Sequence, residues 1–98
     1  MFGLNKIKEA KEQAEALKQK LAAQNFTGFS ANNLVSIQCT GDKRFHSLEI
    51  NDSAFKIRPR EEVQTMILEA IERASYQADE TMRKEMAAIM PNIPGLNL

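Results

Sequence analysis

The chain has 98 residues, 43% of them hydrophobic and 27% charged, and its 13 basic and 13 acidic side chains cancel. A neutral chain of this length predicts one folded domain, 1–98, and argues against a protein that coats nucleic acid by bulk charge. A single cysteine excludes an intrachain disulfide. Because no signal-peptide pattern and no apolar run of roughly 20 residues stands out, we expect a cytoplasmic protein without membrane partners.

The first predicted element is a helix over residues 4–24. Its apolar residues recur at alternating intervals of three and four, the spacing of a coiled-coil seam: Ile7, Ala10, Ala14, Leu17 and Leu21. Such a helix would be about 30 Å long, more than a small sheet can cover. We therefore expect part of it to project or to meet a second chain.

Residues 25–51 change to the period of two that is typical of strands. The pattern predicts a three-stranded antiparallel meander over 26–30, 34–40 and 44–51. Ala31-Asn32-Asn33 is a turn signal, and Gly41-Asp42 fits a tight hairpin turn with glycine at positive φ. Alternation turns six residues inward: Val35, Ile37, Cys39, His46, Leu48 and Ile50. Phe45 interrupts this alternation, which allows for a bulge.

A long helix is predicted to follow a connection over residues 52–58. Pro59 suits its first position, and Pro91 would end it, leaving 91–98 as a flexible tail. A broad apolar stripe suits packing on the sheet: Val63, Met66, Ile67, Ala70, Ile71 and Ala74. The stripe narrows after Tyr76, so a bend or break is expected near 75–79. The fold class is therefore α+β, with both helices longer than the sheet.

The residues that could carry catalysis are few. His46 is the only histidine and is expected to be a packed structural imidazole, while Cys39 is expected to be a buried, inert thiol. One His and one Cys cannot fill a zinc site, and the scattered glycines form no phosphate-cradling loop. We therefore expect no enzyme, no metal, no cofactor and no small-molecule substrate.

Basic residues on the two helices are the candidate contacts for nucleic acid. Residues 1–24 carry five lysines and three glutamates, whereas 59–98 carry four basic and seven acidic groups. The candidate contacts are Lys6, Lys8, Lys11, Lys18, Lys20, Arg83 and Lys84. Taken alone, such lysines are more often an ordinary solvated helix face than a binding surface. If they bind duplex DNA, they would contact mainly the phosphate backbone, with weak sequence preference.

Four stretches together resemble the YbaB/EbfC family over essentially the full chain. They are Met1-Phe2-Gly3 before a Lys/Gln/Glu/Ala-rich helix, Thr27-Gly28 followed by Leu34-Val35-Ser36-Ile37, the strand from Phe45 to Asp52 after Gly41, and Met82-Arg83-Lys84-Glu85-Met86 before a Pro/Gly tail. The resemblance implies a tweezer-shaped homodimer that binds double-stranded DNA in the bacterial cytoplasm or nucleoid, with no cofactor and no reaction.

Two functional hypotheses remain open on the sequence. The first is a nucleoid-associated, DNA-binding homodimer that uses the helix lysines. The alternative is a non-enzymatic protein-interaction or chaperone-like dimer that uses the apolar groove between its helical arms, where Met82 and Met86 would matter.

Overall fold

The computed structural model describes residues 2–89. Its elements in chain order are α1 (Phe2–Ala22), β1 (Asn25–Phe29), β2 (Val35–Thr40), β3 (Phe45–Ile50), α2 (Asp52–Ile57) and α3 (Arg60–Ile89). The predicted helix, meander and long helix are confirmed, with α1 beginning and ending two residues earlier than expected. The tail predicted over 91–98 lies outside the described residues.

The sheet has the strand order β1-β2-β3 and is antiparallel throughout. Val35, Ile37 and Cys39 are buried on the side that α3 covers, as the period of two predicts. The predicted stripe of α3 supplies the other half of this core, its buried members being Val63, Met66, Ala70, Ala74 and Ala78. One apolar helix stripe on one apolar sheet side forms most of this core, and Ala54 completes it.

Gly28 allows α3 to lie directly on β1. A Cβ atom at this position would be 2.2 Å from the carbonyl oxygen of Ala70 and 2.4 Å from the backbone nitrogen of Ala74. Both atoms belong to the helix backbone, which cannot yield as a flexible side chain could. Glycine in the strand and alanines in the helix therefore set the close distance between the two layers.

The turn between β1 and β2 follows its predicted chemistry. Buried Ser30 is the organising residue, since its hydroxyl donates to Asn32 Oδ1 at 2.7 Å and accepts from the N–H of Val35 at 3.1 Å. Asn33 has a φ of 61°, a left-handed conformation that Asn tolerates better than most residues. Side-chain hydrogen bonds thus hold the hairpin in register.

β3 contains the bulge that Phe45 suggested. Cys39 pairs with Phe45 while Gln38 pairs with Ser47, so His46 is the extra residue of the strand. The prediction that His46 lies inward is wrong, because the bulge changes the alternation and leaves its side chain exposed. Its Nε2 lies 2.8 Å from Asn25 Oδ1 at the surface.

Residues 52–57 form a short helix where a connection was expected. Asn51 caps it, with its side-chain oxygen accepting from the N–H of Ser53 at 2.9 Å, and Ala54 anchors it in the core. Asn51 was the sequence signal for this helix, because Asn is a favoured N-cap residue and it directly precedes Asp52. Pro59 immediately precedes α3 rather than forming its first residue.

The expected break near 75–79 is also wrong, since α3 is continuous from Arg60 to Ile89. The helix contains neither Gly nor Pro, the usual causes of a sharp kink. The apolar stripe narrows there because its packing partner changes. The first part of α3 packs on the sheet, and the later part packs on α1.

α1 joins the sheet at the β2–β3 turn. The N–H of Gly41 donates to the carbonyl of Leu21 at 2.8 Å, and Lys43 pairs with Asp79 of α3 at 3.2 Å. Gly41 was expected at positive φ, but Lys43 holds that conformation (φ 61°). Gly41 is needed instead because a Cβ would lie 2.4 Å from the Leu21 oxygen.

From this junction α1 runs back along α3 as an antiparallel partner. Its seam is buried within the chain at Ala10, Ala14, Leu17 and Leu21, whereas Ile7 is 50% exposed. The molecule measures 66 × 22 × 15 Å, longer than the roughly 45 Å of α3 alone. We call α1 with residues 79–89 the arm, and the sheet with α2 and residues 60–78 the body.

Candidate nucleic-acid interface

The lysines of α1 lie on both sides of its buried seam. With about 100° of rotation per residue, Lys8, Lys11 and Lys18 follow one flank of the helix, while Lys6 and Lys20 follow the other. All five lysines are exposed, since the seam residues between them face α3. The arm therefore presents cations along both flanks of one narrow rod.

Three of the seven predicted contact residues are engaged with carboxylates. Lys18 Nζ lies 3.7 Å from Glu15, and Lys20 Nζ lies 3.9 Å from Glu85. Arg83 makes the tightest of these pairs, donating through Nη2 to Glu80 Oε2 at 2.8 Å and through Nε to Oε1 at 3.3 Å. A phosphate would have to compete with these acids.

The pairing of Glu80 with Arg83 shifts the pKa of both groups. The hydrogen bond from Arg83 holds the pKa of the Glu80 carboxyl below its ordinary value. The same hydrogen bond raises the pKa of Arg83. Both groups therefore stay charged at neutral pH, and Arg83 stays occupied.

The other four predicted residues have no acidic partner within residues 2–89. They are Lys6, Lys8, Lys11 and Lys84, all of them exposed. Lysine ammonium groups of this kind act as mobile point charges, which suits phosphate better than the patterned edge of a base. These four side chains are the free cations of the arm.

Most cations of the body are also engaged. Lys43 pairs with Asp79 and Arg44 with Asp42, while Arg58 lies 3.4 Å from Glu62. Arg73 crosses from α3 to the outer edge of β1, where its Nη1 donates to the carbonyl of Phe29 at 2.8 Å.

Two body cations that we did not predict form neither a salt bridge nor a side-chain hydrogen bond in the described part of the chain. They are Lys56 and Arg60. The sequence signal for them was present, since three cations fall within five residues around Pro59.

β3 leaves an apolar surface that the rest of the described chain does not cover. Leu48 pairs with Ile37 on the α3 side of the sheet, yet it is 48% exposed, and Phe45 is 43% exposed. α3 packs on β1 and β2 and does not extend over β3. Phe55 of α2, the helix after β3, is 62% exposed. We call Phe45, Leu48 and Phe55 the β3 apolar surface.

The outer edge of β3 also offers backbone hydrogen-bonding groups. The N–H of Asn51 donates to the carbonyl of Leu34 at 2.8 Å. In an antiparallel strand the inward and outward groups alternate, so the N–H and C=O of Ile50 and Leu48 point outward. Sequence alternation predicted the side of the sheet on which Leu48 lies, but alternation cannot tell which strands a helix will cover.

Cys39 is buried as expected. Burial raises the pKa of its thiol, and the carboxylate of Asp79 raises it further, so the reactive thiolate is disfavoured. Within residues 2–89, no group of three or more His, Cys, Asp or Glu side chains is arranged to hold a metal ion. Over the same range, no helix is both long and apolar enough to cross a membrane.

Comparison with known proteins places the chain in a family. Residues 2–93 match the sequence model of the YbaB/EbfC DNA-binding family. A nucleoid-associated protein of Streptococcus pyogenes serotype M1 is 34% identical over 93 residues, covering 92% of this chain and 94% of its own. A nucleoid-associated protein of Streptococcus pneumoniae strain Hungary19A-6 is 35% identical over 89 residues, covering 91% and 87%.

A solved structure shows the same fold. The crystal structure of the uncharacterised protein HP0035 from Helicobacter pylori superposes with a TM-score of 0.70 at 23% identity, covering 88% of this chain and 89% of that one. The α+β arrangement of a three-stranded sheet and a long last helix is thus shared at low identity. On the sequence match across nearly its whole length, the chain belongs to the YbaB/EbfC DNA-binding family.

Proposed function

We propose that this protein binds duplex DNA through the free cations of its arm, as a nucleoid-associated protein. The observation that carries the proposal is the division of the arm's cations. Lys6, Lys8, Lys11 and Lys84 are exposed without a carboxylate partner in residues 2–89, while the arm's other three cations are held by acids. The family match and the nucleoid-associated relatives support the same partner.

The zero net charge of the chain does not oppose this binding. Salt screens charges beyond about 8–10 Å at physiological ionic strength, so only local charge matters to a bound phosphate. The helix rise from Glu72 to Glu85 along α3 adds to the rise from Lys20, the partner of Glu85, to Lys11 along α1. Together they place Lys11 about 30 Å from Glu72 on the body. The arm therefore presents its own field, largely independent of the acidic first part of α3.

The chemistry of the free cations favours backbone contacts over base recognition. All four are lysines, which lack the planar fork with which arginine pairs bidentately with a guanine edge. Arg83, the one arginine of the arm, is engaged by Glu80. We therefore propose binding with weak sequence preference and strong salt dependence.

We further propose that the protein acts as a homodimer joined through β3. The β3 apolar surface and the outward backbone groups of Leu48 and Ile50 support this, since an uncovered apolar strand edge favours pairing with another chain. Pairing would present each arm twice. It would also remove the exposed apolar side chains of Phe45, Leu48 and Phe55 from water.

The DNA proposal is tested by Lys8→Gln/Lys11→Gln against the matched double variant Lys43→Gln/Arg44→Gln. Both variants remove two positive charges, but only the first removes free cations. We expect the arm variant to flatten the log–log salt dependence of duplex binding by about 0.9 for each lost phosphate contact. The measurement is a fluorescence-anisotropy titration of a labelled duplex across salt concentrations. Equal slopes for the two variants would reject the arm as the binding surface.

A further inference from the structure

The cations that form neither a salt bridge nor a side-chain hydrogen bond in residues 2–89 fall into two groups. One is the free cations of the arm, and the other is Lys56 and Arg60 of the body. Arg60 begins α3 and Lys84 lies 24 positions later in the same continuous helix, so helix rise separates them by about 36 Å. Lys11 lies farther still, because α1 runs back beyond Lys20 and its partner Glu85.

The body group occupies a short, stiff corner over residues 56–60. Lys56 stands in the last turn of α2, Arg58 has extended backbone (φ −115°, ψ 135°), and Pro59 directly precedes α3. Proline fixes its own φ and restricts the residue before it, so the three cations project from a segment with little freedom. All three are exposed, and only Arg58 forms a salt bridge in the described structure, with Glu62 at 3.4 Å.

Acidic side chains separate the two groups. Between positions 61 and 79, α3 carries five carboxylates and one cation. That cation is Arg73, which is engaged by the carbonyl of Phe29. A duplex lying along the molecule would bring its phosphates near these acids, which is unfavourable within a Debye length. Each end is better suited to a separate stretch of DNA.

We infer that the corner of Lys56, Arg58 and Arg60 is a second phosphate-binding surface, and that the protein bridges two duplex segments, one at the arm and one at the corner. This rests on the proposed DNA binding by the arm. The corner takes the same chemical partner, the phosphate backbone of duplex DNA. Because the corner lies far from the arm, one protein molecule would bind two duplexes at the same time.

The test uses Lys56→Gln/Arg60→Gln, with Lys43→Gln/Arg44→Gln as the matched control. A duplex fixed to beads is incubated with protein and then with a labelled second duplex of unrelated sequence, and the retained label is measured. We expect the wild type and the control to retain the second duplex. We expect the corner variant to lose most of that retention while still binding a single duplex through its arm.

Three outcomes are decisive. Retention of the second duplex by the corner variant at the wild-type level would overturn the inference, since the arms alone would then suffice. Single-duplex binding by the wild type without retention of a second duplex would also overturn it, while leaving the arm proposal standing. Failure of the wild type to bind even one duplex would overturn the arm proposal first. Matching circular dichroism spectra of the variants show that the fold is retained.

Discussion

The body and the arm both pack a helix through small and apolar residues, but the body is held by more kinds of specific contact. In the body, Gly28 lets the strand backbone approach the helix backbone at Ala70 and Ala74. In the arm, the buried seam includes the small residues Ala10 and Ala14. The body adds strand register, a side-chain-braced turn and a capped helix. The arm has one apolar seam and one junction at Gly41. The specific contacts that define the fold therefore lie in the body, and the arm is a pair of charged helices that projects from it.

Gly28→Ala tests the body most severely. The new methyl group would meet the backbone of Ala70 and Ala74, so α3 must move off the sheet. We expect the free energy of unfolding, measured by urea denaturation, to fall by about 3 kcal/mol or more. Thr27→Ala, on the other side of the same strand, is the control and should cost under about 1 kcal/mol. Similar losses would show that the close approach is not limiting.

Leu48→Asp tests whether the β3 apolar surface of the body is a dimer interface. Leu48 is half exposed in the single chain, so a carboxylate there remains solvated and the monomer should fold. We expect wild-type protein to sediment as a dimer and the variant as a monomer with the same helix content. Lys56→Gln, on the helix that follows β3, serves as the control. A dimer that persists in the Leu48 variant would place the interface elsewhere.

Glu80→Gln is expected to have the smallest effect, and it concerns the arm alone. Because the folded pKa of Glu80 is lowered, its pairing with Arg83 persists above the ordinary carboxyl pKa and is lost only as pH falls through the folded value. The amide removes that partner at neutral pH. We expect the released Arg83 to steepen the salt dependence of DNA binding by about 0.9.

The control for this variant is Glu72→Gln. It removes the same charge from the same helix, but Glu72 pairs with no cation in the described structure. If both variants change the salt dependence equally, the general charge of α3 matters and the release of Arg83 does not.

The sequence predicted the regular parts of the fold because their apolar residues repeat with a clear period. The inward set of β2 and the stripe of α3 are found as expected. His46 was misplaced, and Leu48 lies on the predicted side of the sheet but is exposed, for two reasons that the spacing of apolar residues does not show. A single inserted residue reversed the alternation at His46, and α3 covered only two of three strands, leaving Leu48 exposed.

The candidate site was only half predictable for a related reason. Charge and spacing identified the seven arm cations, but they could not show that Lys18, Lys20 and Arg83 would be held by Glu15, Glu85 and Glu80. Whether a surface cation is free depends on rotamers and on which helices become neighbours. The corner of residues 56–60 was missed because its cations lie at two helix ends and the connection between them, rather than along one helix face.

The hydrogen bond of Arg73 has a consequence for the proposed pairing through β3. Its guanidinium occupies the Phe29 carbonyl on the outer edge of β1, so a strand arriving on that flank would have to displace it. The opposite flank, at β3, is open. A sheet with one obstructed and one open flank joins a single twin about a twofold axis and then stops, whereas two open flanks would permit an endless ribbon. If chains pair through β3 as proposed, this arginine would oppose the addition of a further strand at β1.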